Sequence, residues 1–490
     1  MTNSGKRLIK NASYLFVGAV ISNIASFAFR IIVAREFGPE GFGVFSLALM
    51  ITSIATTVSL LGLPDGMENF VSKFQEQGNS SRVVGVILTG GSISITISIV
   101  ATAILILTSS FISIKVFESP RLAEFLVWFS LIVPASVVIK MASSVTMGYE
   151  RGEYRATIRQ IFPKSLSLIF VMVVIFYGGQ LIEVGKVYVA AMWISAGIGI
   201  LIVVKITPIK NFTTIETNSS QVIAFSAPLM FTATVGMFLS WVDTAVVGIY
   251  LGEAKVGSYQ SAFLLGSSLS IFLGAISGSL YPHFSSLIEQ DKIGILKHRF
   301  GEGRRWATMM AIAPATYLII FPEISIVFLF GEEYRTAGIA LAIIVAGQFV
   351  SEMVGPVTNL LKTLGESRYI LLSYSAGAAV NALISILLVP KIGIVGAGVG
   401  TATATIIIQY SHLYKMKSYF DISIVDHRVF RSLGAAVFSV MPARYLSKYV
   451  DTHYDFFIHI LVFSLIYSVL VYLFGGISTS ELYNILDEDK

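Results

Sequence analysis

The sequence predicts an all-α, polytopic membrane protein, and three observations carry that expectation. Of its 490 residues, 55% are hydrophobic and only 13% are charged, against about 25% charged in an ordinary soluble domain. Mean hydropathy is +0.78. Apolar runs of about 18 residues or more recur along the whole chain, each long enough to cross the ~30 Å hydrocarbon core as a helix.

In order, the apolar runs predict helices at 11–34, 44–64, 83–110, 122–146, 158–177 and 186–206, then at 222–250, 257–282, 305–330, 336–361, 369–389 and 394–414. Two more are expected at 427–447 and 455–475, making about 14 transmembrane helices. The first run follows Lys6, Arg7 and Lys10. It is too long for a signal-peptide core and lacks a small-residue cleavage site, so it reads as the first crossing. Gly38, Pro39, Gly41 and Gly43 are expected to turn the chain between the first two helices.

An even number of crossings puts both termini on one side. The loops on that side hold 23 of the 34 Lys and Arg residues and the opposite loops hold 9, so the expected orientation has both termini cytoplasmic. The remaining two, Arg30 and Lys140, fall inside helices.

The polar stretch after Lys205 divides the chain. The expected organisation is a first lobe of six helices (1–210), a cytoplasmic linker (211–221), a second six-helix lobe (222–418), and two additional helices with a tail (419–490). A shift of 214 lays Phe37-Gly38 on Leu251-Gly252, Gly43 on Gly257, Phe45 on Tyr259 and Phe70 on Phe284. A shift of 213 lays Gly152-Glu153 on Gly365-Glu366. An offset spanning an even number of helices means parallel repeats, about an axis along the membrane normal.

Several classes are excluded. With no cysteine there are no disulfides or thiolate metal sites. The six histidines are scattered, no His/Asp/Glu set has ligand spacing, and no catalytic motif holds, so neither enzyme chemistry, metal nor cofactor is expected. The net charge of +5 lies in short loops and calls for no nucleic acid. Five basic residues between Lys292 and Arg305 read as a loop against anionic lipid headgroups.

The run Arg30…Arg35-Glu-Phe-Gly-Pro-Glu-Gly-Phe-Gly-Val-Phe, its echo from Asp243 through Leu251-Gly252 and Gly257-x-Tyr259, and Gly148-Tyr-Glu-Arg-Gly-Glu-Tyr154 resemble the polysaccharide flippases. These form the Wzx-like branch of the multidrug/oligosaccharidyl-lipid/polysaccharide exporter superfamily. The resemblance covers essentially the whole chain. It implies two pseudo-symmetric lobes around a V-shaped cavity, and outward flipping of a polyprenyl-(di)phosphate-linked oligosaccharide by alternating access in the cell membrane. Implied partners are that lipid-linked substrate, membrane lipids, the glycosyltransferases or polymerase of the same pathway, and a proton or sodium counter-ion.

Charged and amide side chains within the helices supply the candidate site residues. Arg30 lies about five residues, roughly 7 Å, from the expected end of its helix; it either snorkels to headgroups or grips phosphate. Lys140 is a second candidate for the substrate, with Asn23 and Asn359 as amides for sugar hydroxyls. Asp243, Glu352 and Gln348 are candidates for gating or coupling, because an acid within a span needs a partner, water or a proton. Arg30–Asp243 and Lys140–Glu352 ion pairs are the structural alternatives. The rival function on the same fold is a cation-coupled multidrug antiporter. A membrane glycosyl polymerase would need larger outer loops than the dozen or so residues available here.

Overall fold

The computed structural model describes residues 3–207, 219–420, 427–446 and 455–473. Among them there are helices and turns and no strand. Most of the expected linker at 211–221, and the tail after 473, lie outside the described residues. The chain forms two compact units, Met1–Gly257 and Ser258–Lys490.

The first unit opens with α1, Asn3–Leu60, a 58-residue run with one non-helical residue, Gly38 (φ 65°, ψ −175°). Only glycine takes that conformation without strain, and Pro39 follows as the first residue of the second arm, where its missing N–H costs no bond. The expected four-residue turn is therefore a single-residue break. Its described apolar part, Val17–Leu60, has 44 residues, about 66 Å of helix, enough for two crossings.

Gly43 remains helical, and its role is close approach. A Cβ there would overlap the Glu253 carbonyl oxygen, and a Cβ on Gly257 would overlap that of Pro39. Gly43 and Gly257, like Pro39 and Glu253, are related by the 214-residue offset. The contact is thus reciprocal, as a two-fold repeat requires.

Next comes α2, Leu63–Glu76, an amphipathic helix that buries Leu63, Met67, Phe70, Val71 and Phe74 on one face. Its opposite face carries Asp65, Glu68 and Lys73, so it is no candidate span. Helix α3, Ser80–Phe111, starts where the Asn79 side chain accepts from the Arg82 N–H at 3.1 Å. Helices α4, Pro120–Ser130, and α5, Ile132–Gly148, make one crossing broken at Leu131, three residues before Pro134.

The fifth crossing corrects the sequence boundary. A short helix α6, Gly152–Arg155, runs through a π turn at Ala156–Ile161 into α7, Phe162–Phe176. The whole run Gly152–Phe176 is helical, so the helix expected from 158 starts six residues earlier and takes in Arg155 with Arg159 and Lys164. Helix α8, Leu181–Ile206, begins with a capping box in which Glu183 accepts from the Gln180 N–H at 2.8 Å. Helix α9, Ser219–Leu251, passes through Pro228 without a break.

The boundary between the units falls within α10, Glu253–Ser267, which bends by 41° into α11, Ser270–Glu289, in the second unit. Helix α12, Ile293–Ile320, turns by 90° at Phe321 into α13, Pro322–Phe330. The expected basic loop at 292–305 is thus mostly the start of a helix, and Arg304 is buried there. Helix α14, Gly338–Val354, ends at Gly355 (φ 79°), and α15, Val357–Thr363, continues after Pro356. Helices α16, Ser367–Ile392, and α17, Ile394–Lys417, pack closely, with Gly400 against Asn381 and Ser385. Helices α18, His427–Leu446, and α19, Asp455–Leu473, follow, and Phe463 of α19 stacks near Tyr317 of α12 at 5.5 Å.

Among the described residues nine helical runs are long and apolar enough to span a bilayer, and eleven if each bent pair is one crossing. The long α1 is a single run in that count.

Candidate functional site

The first unit holds a narrow crevice of about 260 Å³, counting its open mouth, lined by Ser26, Phe29, Arg30, Leu49, Lys164, Ser167 and Tyr188. Two aromatic rings, Phe29 and Tyr188, line it, and two more pack behind them. Tyr188 of α8 lies 5.4 Å from Phe29 and 5.5 Å from Phe45, which sit on the two arms of α1 and are 5.4 Å from each other. Phe129 of α4 closes the group, 5.3 Å from Phe45 and 5.9 Å from Tyr188. Such rings fix the directions of the helices that carry them, and so fix where Arg30, one residue after Phe29, can point.

Arg30 stands eight residues before the break at Gly38, about 12 Å along the helix. It is deeper than the sequence boundary suggested. Snorkelling over that distance is at the limit of an arginine side chain. Lys164 approaches from α7, with Ser167, whose hydroxyl donates to the Pro163 carbonyl at 2.6 Å. Neither cation forms an ion pair among the described residues. Two like charges on neighbouring spans, with hydroxyls and a phenol beside them, can be compensated by an anion.

The other sequence candidates are distributed as follows. Asp243 is buried (1% exposed), and its Oδ1 accepts from the Thr244 N–H at 2.6 Å and from the Thr244 hydroxyl at 3.3 Å. Arg30 makes no ion pair with it. Lys140 on α5 is half-buried, and its charged neighbour is Arg159. Asn23 is exposed on α1 and does not line the crevice.

In the second unit Glu352 is fully buried (0% exposed), and neither carboxylate oxygen has a hydrogen-bond partner. Gln348, one turn earlier, and the Leu273 backbone are its polar neighbours, but neither reaches hydrogen-bonding geometry. Its own carbonyl accepts from the Thr308 hydroxyl at 3.0 Å. Asn359 is half-buried on α15, and its carbonyl accepts from Thr363.

Sequence reasoning missed Lys164 and Tyr188. The polar run Glu153, Arg155, Arg159 and Gln160 resembles a loop, and the usable signal was Pro163 as a first-turn residue ahead of the apolar run from Leu168 to Phe176. Tyr188 is one aromatic among 21 tyrosines, and nothing local distinguishes it.

An all-α bundle of membrane-spanning helices with a cationic crevice inside one unit defines a polytopic transporter class. Comparison with known proteins makes this specific. The polysaccharide biosynthesis protein family matches residues 8–288, and the chain belongs to that family. It is 22% identical to the probable low-salt glycan biosynthesis flippase Agl15 of Haloferax volcanii, over 98% of each chain. Among solved structures, the lipid II flippase MurJ in an inward closed conformation superposes with a TM-score of 0.71 at 16% identity, covering 97% of this chain and 99% of that one. An inward-facing multidrug resistance MATE transporter gives a TM-score of 0.64 at 14% identity, over 81% of this chain and 94% of the other.

Proposed function

We propose that the protein flips a polyprenyl-(di)phosphate-linked oligosaccharide across the cell membrane, from the cytoplasmic to the outer leaflet, for synthesis of a cell-surface glycan. The observation that carries this reading is the Arg30–Lys164 crevice, whose two cations lack a carboxylate. A phosphate-bearing head would neutralise both, and a guanidinium binds phosphate oxygens two at a time. The cationic drugs of a multidrug antiporter would be repelled by the same pair.

In this reading the Lys/Arg distribution puts both termini in the cytoplasm. The lipid tail stays in the bilayer, and Asn23 and Asn359 are amides available to sugar hydroxyls. Asp243, Glu352 and Gln348 serve gating or coupling, with a proton or sodium ion as counter-ion. Glycosyltransferases or a polymerase supply and consume the substrate. The role is transport rather than catalysis. An anionic head leaving an inside-negative cell gains about 2.3 kcal/mol per charge per 100 mV, so no ATP site is needed.

The test is leaflet translocation of a fluorescent polyprenyl-diphosphate oligosaccharide in liposomes holding only the purified protein. Translocation above that of empty liposomes is expected. Proton- or sodium-driven exchange of a cationic dye without lipid translocation would replace the flippase reading with the antiporter.

A further inference from the structure

A second group of charges lies in the first unit, on α2, α5 and the early part of the span that also carries Lys164. Lys140 comes from α5, Asp65 and Glu68 from α2, and Arg155 and Arg159 from α6 and the π turn that follows it. Arg155 Nη1 meets Glu68 Oε2 at 3.2 Å. Arg159 feels Asp65 and Glu68 and also the like charge of Arg155. Three cations thus share two carboxylates.

The group is accessible. Arg159 is exposed and Lys140 half-buried, while the Arg155 and Glu68 side chains retain 26% and 37% exposure. Lys140 has no carboxylate partner among the described residues. Burial pushes the Glu68 carboxyl above its ordinary range, and the nearby Arg155 offsets this only in part. The Arg155–Glu68 pair is part-exposed, so an added anion can compete with Glu68 for Arg155.

Position along the helix adds a direction. Arg155, Arg159 and Lys164 follow one another along a single continuous span, at intervals of about 6 and 7.5 Å by helical rise. Lys164 in turn shares its crevice with Arg30. A phosphate group has an oxygen-to-oxygen reach smaller than these steps, and a diphosphate can bridge one of them.

Resting on the flippase reading, we infer that Arg159, Lys140 and Arg155 form a second anion site, on the side where the substrate enters. It takes the phosphate head before the Arg30–Lys164 crevice does, and Glu68 is the counter-ion that the phosphate displaces. The ligand class is a phosphate or diphosphate, either free or carried on a lipid. Passing the head from one cation group to the next keeps it compensated along the span, where an isolated charge would be costly.

The experiment uses the full chain in phosphatidylcholine nanodiscs carrying Arg30→Gln and Lys164→Gln, so that the second site alone remains, with inorganic pyrophosphate titrated by calorimetry. Pyrophosphate binding is expected. Arg159→Gln together with Lys140→Gln should weaken it at least tenfold, Arg159→Lys should retain it, and Glu68→Gln should strengthen it about threefold. No binding in the double-Gln background, or binding indifferent to Arg159 and Lys140 in monodisperse protein, overturns the site.

Farnesyl diphosphate displacing pyrophosphate at a lower concentration than phosphate does assigns the site to a lipid-linked head. Equal displacement assigns it to the free anion. In the translocation assay Arg159→Gln should raise the half-saturating substrate density by a larger factor than it lowers the maximal rate. Pyrophosphate binding without any lipid translocation by the unaltered protein would support the anion site while overturning the flippase reading.

Discussion

The spans of the first unit carry accessible cations beside one sealed acid, Asp243 at 1% exposure, whereas those of the second unit carry a sealed acid and a sealed cation. In the first unit Arg30 and Lys164 line an open crevice, and Lys140 and Arg159 lie in accessible positions on neighbouring helices. In the second unit Glu352 and Arg304 are closed off, at 0% and 6% exposure. The repeat offset sharpens the contrast. Arg30 shifted by 214 falls on Thr244, which is fully buried and still within the first unit. Lys164 shifted by 213 falls on Gly377, where a Cβ would already lie 2.5 Å from Ile408 Cδ1. The repeat keeps helices at both offsets and repeats neither cation. Accessible cations wait for a ligand, whereas a sealed acid must be neutral or meet its ion from within.

The largest effect that would break this comparison is at Arg30. If Arg30 binds phosphate as proposed, Arg30→Ala removes a charged contact worth about 1.5–3 kcal/mol, so lipid translocation should fall on the order of 10- to 100-fold, with Arg30→Lys in between. Full transport by both variants at normal expression would remove the phosphate role.

Next is steric. Gly43→Ala and Gly257→Ala should each destabilise by about 1–3 kcal/mol, visible as a lower midpoint of thermal unfolding in detergent. Because the contact is reciprocal, the two losses should match within about 1 kcal/mol. A large loss from one and none from the other would contradict the two-fold relation of these positions.

Glu352→Gln keeps the shape and removes an acid with no hydrogen-bond partner. At neutral pH it should raise thermal stability, since such groups typically cost about 1–3 kcal/mol. It should also flatten any dependence of transport on pH. Lowered stability would show that the carboxylate has a partner in the membrane.

The smallest effect is outside the spans. Glu366 accepts from the Tyr419 hydroxyl and pairs with Lys415 at 3.0 Å, and these partners hold its carboxyl below the ordinary value near 4.5. A depressed carboxylate contributes stability that is present above that ordinary value and is lost as pH falls through the lowered one. Thermal unfolding of the wild type should therefore shift slightly across that acid window, and Glu366→Gln should remove that shift.

The all-α membrane class was legible because hydrocarbon imposes long apolar runs whatever the tertiary packing. Arg30 was legible for a related reason: a charge in such a run is conspicuous. Lys164 was not, because it lies near the expected start of its helix at 158, where a lysine reads as a residue facing the headgroups. The crevice was not legible either. It depends on Tyr188 meeting Phe29, Phe45 and Phe129 across four chain segments, and no local pattern records that.

Gly38 joins two rigid arms that carry different tasks, Arg30 on one and the Gly43 contact on the other. Two backbone torsions at one residue therefore set the angle between the arm that carries Arg30 and the arm that meets α10. The Phe29–Phe45 ring contact spans this joint and braces it, as a clip braces a pair of compasses. Loosening the clip, by trimming either ring, would free the joint to swing without altering a single charge.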